Sequence, residues 1–373
     1  MANIPKRFLM AAGATGGHIM PAVALIDTLR EGLPDLEVLF VGVGREAEAK
    51  ILDPLGFKRQ VISGAGLKGH GVFKKGIGLL KTFKGYFEAF LIIRRFKPDV
   101  AFGTGSYAAG PVGLAAFTLR VPLFIHEQNR YPGLTNRFLG KFAKIIFLGE
   151  EDTVGFNPTK TVFTGNPVRA EIRALKDLPL PSLRRKPEDP FTLVVLGGSQ
   201  GARKINETVL EIVSQLFESS KNLRLFHQAG NDGVKLCENI YQRFGEKITL
   251  KPFFTDMARL YSEADLIIAR AGALTLAELA YAGVPAILIP LPTAADDHQT
   301  LNARAREAKG SAILIPESDL TGELLLNTLL NLLNSPQRLR DMAESTREFI
   351  PQKEANSSMA NLILDFLRPV GPV

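Results

Sequence analysis

The sequence predicts two α/β domains, each built around a parallel, doubly wound sheet. Three observations lead to this: each half runs strand, glycine loop, helix, strand; the strands are apolar; and glycine opens the first turn. These elements span residues 8–12, 13–18, 19–29 and 38–43 in the first half, and 191–196, 197–201, 205–216 and 223–227 in the second. Alternating strands and helices of this kind favour parallel sheets with right-handed crossovers.

Length and composition agree with two domains. With 373 residues, of which 46% are hydrophobic, the chain is long for one core and can fill two. Asp177–Pro190 contains several prolines beside mixed charges, and this composition predicts a linker or an exposed excursion between the halves.

The charge indicates an anionic partner. The net charge is +7, and nucleic acid, an anionic membrane surface and phosphorylated substrates all meet that requirement. Cys237 is the only cysteine, which excludes a disulfide within the chain and any multi-cysteine metal site and fits a reducing compartment.

We expect no signal peptide and no membrane-spanning segment. Lys6 and Arg7 precede an apolar run, but the run is short and passes directly into the glycine loop, so it is predicted to be the first strand. Val100–Leu119 is uncharged and long enough to cross a bilayer, yet its glycines and Pro111 predict a loop between two buried elements. The protein is therefore expected to be soluble or peripheral.

Two polar clusters interrupt the apolar pattern late in the chain. Arg270–Ala273 follows a predicted strand at 266–269 and opens a helix that Gly283 ends. Asp296–Asn302 follows a predicted strand at 284–290. Ligands of open parallel sheets bind beyond the carboxyl ends of the strands, and helix starts offer unpaired N–H groups to a diphosphate. These clusters therefore predict the nucleotide end of a site.

Glu278 lies one turn into that helix. Its carboxylate can accept hydrogen bonds from two ribose hydroxyls, or it can be a solvated residue of the kind favoured near a helix N-terminus. Position alone leaves both interpretations open.

The two glycine loops do not match the common nucleotide motifs. Neither contains GxGxxG or GxxxxGK[ST], so hydride transfer and phosphate-loop NTPase activity lose their main support. Without side chains at Gly16 and Gly17, main-chain N–H groups can approach a phosphate or a sugar closely. The alternative is a tight strand-to-helix turn without a ligand.

His18 is the first candidate for the base that deprotonates an attacking hydroxyl, because histidine titrates near neutrality. It can instead be a neutral residue that only hydrogen-bonds a phosphate. Glu127 is the second candidate, in the tetrad His126–Asn129 that follows a predicted strand at 121–125. Four consecutive hydrogen-bonding side chains exceed what a polar cap needs.

Several motifs together resemble one family of GT-B glycosyltransferases, the bacterial undecaprenyldiphospho-muramoylpentapeptide N-acetylglucosaminyltransferases. The resemblance extends nearly end to end. The motifs are GATGGH at 13–18, GTGSYAAGP at 103–111, HEQN at 126–129, GNPVR at 165–169, GGSQGA at 197–202, RAGALTLAE at 270–278 and DHQTLNA at 297–303. Ala14, Ser106 and Ala109 depart from the usual pattern, which bears on loop shape and acceptor fit.

The resemblance implies the GT-B fold, with two Rossmann-like domains facing each other across a cleft. The first domain, at 1–168, is expected to bind the acceptor and dock on the membrane, and the second, at 169–350, to bind the UDP-sugar. The final helix, in the segment 351–373, is expected to pack back on the first domain.

The resemblance also implies site residues. The catalytic candidates are His18 and Glu127, and the acceptor loop contributes Gly103, Gly105 and Tyr107. The residues expected to bind UDP-N-acetylglucosamine are Thr15, Gly16, Gly17, Asn129, Arg169, Ser199, Phe254, Ala273, Leu274, Thr275, Glu278, His298, Gln299 and Asn302. Of these, Phe254 is expected to read the uracil edge through its backbone, and Gln299 to hold the sugar hydroxyls.

The implied reaction is an inverting transfer of N-acetylglucosamine from its UDP ester to the 4-hydroxyl of undecaprenyl-diphospho-muramoylpentapeptide. No cofactor is expected, and no metal, because the adjacent Asp296 and Asp297 lack a partner motif. We expect no nucleic-acid partner. The rivals are a GT-B enzyme acting on another lipid, such as diacylglycerol, and a non-catalytic module that binds nucleotide sugars at a membrane.

Val72–Phe96 is predicted to form the membrane-docking face at the cytoplasmic side of the inner membrane. Apolar residues recur there at helical spacing among lysines, which suits an anionic bilayer surface. The part before Tyr86 is expected to dock, and Ala89–Phe96 to lie in the core. An ordinary amphipathic helix with its apolar stripe in the core is the alternative.

Overall fold

The computed structural model describes residues 5–13, 16–64, 72–181, 189–198, 201–220, 222–294 and 297–367, with side chains left undescribed at 72–77 and 79. The chain divides into two compact units, Met1–Arg169 with Pro351–Val373, and Ala170–Ile350. Each unit is an α/β structure built around a parallel sheet.

The first unit begins with strands and helices in strict alternation. Its strands are β1 Arg7–Ala11, β2 Glu37–Gly42, β3 Lys58–Val61, β4 Val100–Gly103, β5 Leu123–Glu127, β6 Ile145–Leu148 and β7 Thr161–Phe163. Its helices before the second unit are α1 Gly16–Gly32, α2 Glu46–Leu52, α3 Val72–Phe96, α4 Ala109–Thr118 and α5 Leu134–Leu139. Within the described residues, the seven strands form one parallel sheet in the order β3-β2-β1-β4-β5-β6-β7.

Strand β1 is apolar on both faces because helices cover both. Phe8 and Met10 pack in one buried cluster with Ile19 of α1. Leu9 packs on the opposite face in a second cluster, with Val112 of α4. Continuous apolar strands of this kind are typical of parallel sheets that are buried on both sides.

The second unit repeats the plan. Its strands are β8 Phe191–Leu196, β9 Leu223–Gln228, β10 Ile248–Lys251, β11 Leu266–Ala269, β12 Ala286–Leu288 and β13 Ala312–Leu314. Its helices are α6 Ala170–Arg173, α7 Arg203–Ser219, α8 Gly230–Tyr241, α9 Met257–Glu263, α10 Ala273–Ala282, α11 His298–Ala308, α12 Gly322–Leu333 and α13 Pro336–Arg347. Among the residues described there, six parallel strands have the order β10-β9-β8-β11-β12-β13.

The last helix, α14 Ala355–Leu367, packs against α1 in the first unit. Its residues Met359 and Ile363 are fully buried in the same cluster as β1. Asn356 ties the helix down, because its Nδ2 donates to the Ala24 carbonyl at 2.9 Å and its Oδ1 accepts from the Val168 N–H at 3.0 Å.

Three sequence-based expectations differ from the structure. Val100–Leu119 is not a loop: it forms β4 and α4, and α4 tolerates Pro111 because proline fits the first turn of a helix. The strand expected at 284–290 is confined to β12, because Pro285 and Pro290 have no N–H for the ladder. In the stretch expected to be a linker or an exposed excursion, 177–190, residues 177–179 are exposed, Leu180 and Pro181 are buried, and 182–188 lie outside the described residues.

The order of each sheet reverses beside its first strand, since β1 lies between β2 and β4, and β8 between β9 and β11. Loops that leave the carboxyl ends of two such neighbouring strands run to opposite faces, and the crevice between them is the usual ligand site of this architecture. The loops after β1 and β4, and those after β8 and β11, therefore define the candidate sites.

Candidate active site

In the first unit, one main-chain carbonyl orients the predicted base. Nδ1 of His18, in the first turn of α1, lies 2.7 Å from the Thr104 carbonyl oxygen, which follows β4. The same carbonyl accepts from Nε2 of Gln128 at 3.1 Å. A carbonyl can only accept, so Nδ1 of His18 carries the proton and Nε2 keeps its lone pair. His18 is half-buried.

The neighbouring His126 has a different environment. It is enclosed in the core at the end of β5, and this burial lowers its pKa to about 3. A ring held neutral in this way does not titrate near neutral pH. His126 therefore supports the loop that it belongs to.

Glu127 accepts four hydrogen bonds from the segment that follows it in the chain, residues 129–136. Oε1 accepts from the main-chain N–H of Asn129 at 3.0 Å and from its side-chain amide at 3.2 Å. Oε2 accepts from the Gly133 N–H at 3.2 Å and from Nδ2 of Asn136 at 2.9 Å. Burial raises the pKa of Glu127, and these donors oppose that effect. Both oxygens are thus engaged in closing the segment 127–136.

The loop after β4, which contains Gly105, is built against the same segment 127–136. Gly105 has φ of +79°, and a Cβ there would lie 2.8 Å from Nδ2 of Asn136, so the position requires glycine. The hydroxyls of Thr104 and Ser106 are buried without a hydrogen-bond partner among the described residues. Tyr107 is about half exposed at the rim of the same loop. Buried hydroxyls of this kind are available to a bound ligand or water.

A carboxylate that the sequence did not single out supports the first glycine loop. Glu48 of α2 is 2% exposed and accepts from the N–H groups of Val43 and Gly44 at 3.1 and 2.9 Å. Its Oε1 lies where a Cβ on Gly13 would come within 2.5 Å, so the carboxylate packs directly on the start of the loop. Glu48 was not selected from the sequence: its two donors lie only four and five residues before it, but the Gly13 that it packs on follows another strand, β1.

In the second unit, α10 begins at the carboxyl end of β11. Gly272 is its N-cap residue, and the first intrahelical bond runs from the Leu276 N–H to the Gly272 carbonyl at 3.0 Å. The N–H groups of Ala273, Leu274 and Thr275 precede that bond, at the positive end of the helix dipole. The prediction that Gly283 ends this helix is confirmed, with φ of +64° at that residue.

Glu278 is buried rather than solvated. It is 7% exposed, and its Oε2 accepts from the hydroxyl of Tyr261 at 2.8 Å. Tyr261 lies on α9 and is 1% exposed. A buried carboxylate that receives a hydrogen bond from a fixed tyrosine is a different feature from a surface acid at a helix start.

Phe254 has its main-chain N–H occupied. It donates to Oε1 of Gln228, at the end of β9, across 3.0 Å, and both residues are buried. If the backbone of Phe254 reads a uracil edge, its carbonyl oxygen is the group left for this, unless Gln228 turns away. Gln228 was not identified from the sequence, because its partner Phe254 lies in the loop after the next strand, β10.

The start of α11 is tied to two strand ends. Oε1 of Gln299 accepts from the Leu291 N–H at 3.0 Å, and Nδ2 of Asn302 donates to the Ala271 carbonyl at 3.2 Å. Arg270 joins the same edge, since its Nη1 donates to the carbonyls of Ile289 and Pro290 at 3.1 Å. Asn302 and Arg270 therefore fix the turn that starts α10, and His298 is the first residue of α11.

Positions can be given for most of the remaining residues predicted for the site. Thr15 and Ser199 lie outside the described residues. Gly16 opens α1, Gly17 is exposed, and Gly103 ends β4. Arg169 is half-buried and falls in the first unit, at its boundary with the second.

One face of α3 exposes a row of large apolar side chains. These are Leu80, Phe83, Phe87 and Leu91, which are 71%, 62%, 50% and 66% exposed. We call this row the α3 stripe. Lys81 and Lys84 are exposed beside it. The expectation that 89–96 lies wholly in the core is wrong at Leu91, because only the opposite face, with Ala89 and Ile93, packs inward.

Two further observations concern membranes and metals. None of the helices in the described ranges combines the length and apolar character that a membrane span requires. Within the same ranges, no three His, Cys, Asp or Glu side chains are grouped so as to hold a metal ion.

Comparison with known proteins relates both units to one family. The model described as "Glycosyltransferase family 28 N-terminal domain" matches residues 8–148, and "Glycosyltransferase family 28 C-terminal domain" matches residues 192–362. Two curated relatives share the name "UDP-N-acetylglucosamine--N-acetylmuramyl-(pentapeptide) pyrophosphoryl-undecaprenol N-acetylglucosamine transferase". The protein of Coxiella burnetii (strain RSA 331 / Henzerling II) is 42% identical over 344 residues, 92% of this chain and 94% of that protein. The protein of Geobacter metallireducens is 39% identical over 342 residues, 91% of this chain and 93% of that protein.

A solved structure agrees with the sequence relatives. The crystal structure of Acinetobacter baumannii MurG aligns with a TM-score of 0.74 at 33% identity, over 97% of this chain and 100% of that one. Its two-domain GT-B fold is the one that the motifs predicted. The chain therefore belongs to glycosyltransferase family 28 and, within it, to the family of UDP-N-acetylglucosamine--N-acetylmuramyl-(pentapeptide) pyrophosphoryl-undecaprenol N-acetylglucosamine transferases.

Proposed function

We propose that this protein transfers N-acetylglucosamine from UDP-N-acetylglucosamine to the 4-hydroxyl of undecaprenyl-diphospho-muramoylpentapeptide, with inversion at the sugar carbon. The product is the disaccharide-linked lipid precursor of peptidoglycan, so the protein takes part in cell-wall synthesis and, through it, in cell shape and division. The names of the relatives support the substrates, and the arrangement around His18 supports the chemistry.

One observation carries the mechanism: the carbonyl of Thr104 holds Nδ1 of His18 at 2.7 Å. This bond selects the tautomer whose Nε2 has a lone pair, as a general base requires. The acceptor hydroxyl oxygen attacks the anomeric carbon while its proton moves to Nε2. The bond from that carbon to the diphosphate oxygen breaks, and UDP leaves with the electron pair.

Glu127 is the weaker candidate for the base. A base must reach the reacting hydroxyl, and both oxygens of Glu127 already accept two hydrogen bonds each from the segment 127–136. We propose that Glu127 shapes the loop on which the acceptor lies, together with Gly103, Gly105 and Tyr107.

The second unit is proposed to bind the donor. The N–H groups at the start of α10 suit the leaving diphosphate, because they carry the positive end of the helix dipole toward developing negative charge. Glu278 accepts the ribose hydroxyls, Gln299 and His298 hold the sugar, and Phe254 lies beside the uracil. Arg169, Asn129 and the glycine loops with Thr15 and Ser199 complete the proposed set. The displacement changes no oxidation state, so no redox cofactor is needed.

We propose that the α3 stripe docks the protein on the cytoplasmic face of the inner membrane. Large exposed apolar side chains flanked by lysines suit the boundary between acyl chains and anionic headgroups. The acceptor is a membrane lipid, so docking would bring the first unit to its substrate. The net charge of +7 favours an anionic surface over a neutral one, and we propose no nucleic-acid partner.

Turnover with defined acceptors tests the proposal. Purified protein is supplied with UDP-N-acetylglucosamine and either the muramoyl-pentapeptide lipid or diacylglycerol, and UDP release and glycolipid are both measured. We expect both products with the muramoyl lipid alone. Glycosylated diacylglycerol would support the rival lipid enzyme, and UDP-sugar binding without turnover on either lipid would support a non-catalytic module.

A further inference from the structure

Tyr261 and Glu278 are joined across two helices of the second unit. The Tyr261 hydroxyl donates to Oε2 of Glu278 at 2.8 Å, and the two side chains are only 1% and 7% exposed. Tyr261 comes from α9 and Glu278 from α10, which follow different strands of the sheet. The tyrosine side chain is almost fully buried, so its ring has little room to move.

A fixed donor changes what a glutamate can do. A glutamate side chain has three torsions, and ordering them on ligand binding costs free energy. A hydrogen bond to an ionised carboxylate is stronger than one between neutral groups, so it is able to hold the carboxylate in a single orientation. A carboxylate has about four acceptor positions, so one donor does not exhaust it.

We propose that Tyr261 is a positioning residue for ribose recognition: it holds the Glu278 carboxylate in the orientation that accepts the ribose hydroxyls of the donor nucleotide. This inference rests on the proposed donor role of Glu278. It goes further by assigning a role to a residue that touches no substrate and that no sequence motif marks.

A purely structural role for the tyrosine is the competing account, and the chain offers a matched control. Tyr241 is also a buried tyrosine of the second unit, and its hydroxyl is 2.8 Å from Nδ1 of His227. Tyr261→Phe and Tyr241→Phe each remove one buried hydroxyl together with the hydrogen bonds that it makes. Only the first acts on the ribose carboxylate.

The test compares two nucleotides that differ by one hydroxyl. Dissociation constants for UDP and 2′-deoxy-UDP are measured by calorimetry on the wild type, Tyr261→Phe, Tyr241→Phe and Glu278→Gln. The wild type should bind UDP roughly tenfold or more tightly than 2′-deoxy-UDP, as for a hydrogen bond to a charged group. Tyr261→Phe should lower this ratio about three- to tenfold, mainly through weaker UDP binding, and Tyr241→Phe should keep it within about twofold.

The outcomes distinguish failure of the Tyr261 role from failure of the Glu278 role and of the proposed function. If Tyr261→Phe keeps the wild-type ratio while Glu278→Gln loses it, the ribose role of Glu278 stands and the positioning role of Tyr261 is overturned. If the wild type binds UDP without discriminating against the deoxy nucleotide, the ribose role fails and the inference fails with it. A wild type that binds neither nucleotide contradicts the proposed function itself.

A second variant covers poor folding of Tyr261→Phe. Glu278→Asp keeps the tyrosine and the negative charge but draws the carboxylate back by one methylene group, out of the position that the tyrosine sets. It should lower the ratio as Tyr261→Phe does. An unchanged ratio in Glu278→Asp would show that the orientation of the carboxylate does not matter, and it would overturn the inference.

Discussion

Each unit has a histidine near the carboxyl edge of its sheet, and the two differ in what surrounds them. His227, at the end of β9, is fully buried with Nδ1 2.8 Å from the Tyr241 hydroxyl and Nε2 3.0 Å from Oδ1 of Asn206. Burial lowers its pKa to about 3. His18 is half-buried, and a carbonyl fixes its Nδ1. His227 thus braces the core, whereas a main-chain carbonyl orients His18, which we propose as the base.

The two buried glutamates of the sites differ in a related way. All four N–H donors to Glu127 come from residues 129–136, which follow it in the chain, so its carboxylate holds that segment together. Glu278 receives a hydroxyl from another helix, which orients it. The kind and origin of the fixed partners therefore separate a residue that closes its own segment from one that we propose is presented to a ligand.

Replacing Glu127 should have the largest effect on stability. Glu127→Ala removes the acceptor of four donors, of which that of Asn136 is buried and the other three are part-buried, and a buried unsatisfied donor costs about 1–3 kcal/mol. Some of them will regain water, so we expect a loss of roughly 3 kcal/mol or more in the free energy of unfolding. Urea denaturation measures this. A loss below about 1 kcal/mol would show that the loop does not depend on the carboxylate.

Replacing Glu278 should instead affect ligand binding. Glu278→Ala is expected to weaken UDP binding by about 1.5–3 kcal/mol, as for the loss of a hydrogen bond to a charged group. Titration of UDP against the folded wild type and variant measures this. Equal dissociation constants would remove Glu278 from the donor site and with it the contrast to Glu127.

Charge reversal within α3 should have the smallest effect per residue. Each lysine near an anionic surface contributes about 1 kcal/mol, so Lys74→Glu, Lys75→Glu and Lys81→Glu together should release the protein from anionic vesicles in co-sedimentation. Binding by the wild type should rise with the anionic lipid fraction.

The matched control carries the same charge change elsewhere. Lys204→Glu, Lys235→Glu and Lys309→Glu lie on exposed positions of the second unit. If both triple variants lose vesicle binding equally, net charge rather than the α3 stripe governs it. Vesicle binding that ignores lipid charge and all substitutions would place the docking surface elsewhere.

Much of the fold could be predicted because its signals are local. The strand at 191–196 and the helix end at Gly283 were predicted to the residue, since an apolar run and a terminal glycine mark them. The helix α4 was not, because Gly110 and Gly113 disfavour helix in isolation, and packing against β4 and α3 in the folded unit overrides that preference.

The site was predictable to the extent that motifs mark it. His18 and Glu127 stand in recognisable motifs, but the contacts of His18 depend on Thr104, which follows another strand, and those of Glu127 on Gly133 and Asn136, which lie beyond its motif. The supporting residues could not be selected from the sequence, because each contacts a group in a segment that follows a different strand. These residues are Glu48, Gln228 and Tyr261.

The central claim is that His18 takes the proton of the acceptor hydroxyl, and the His18→Ala variant tests it most directly. With saturating UDP-N-acetylglucosamine and muramoyl-pentapeptide lipid, kcat should fall about 10²- to 10⁴-fold, while the dissociation constant for UDP stays near the wild-type value. A kcat within a few-fold of the wild type would contradict the claim and make Glu127 the next residue to test. Weaker UDP binding with little change in kcat would make His18 a phosphate ligand instead.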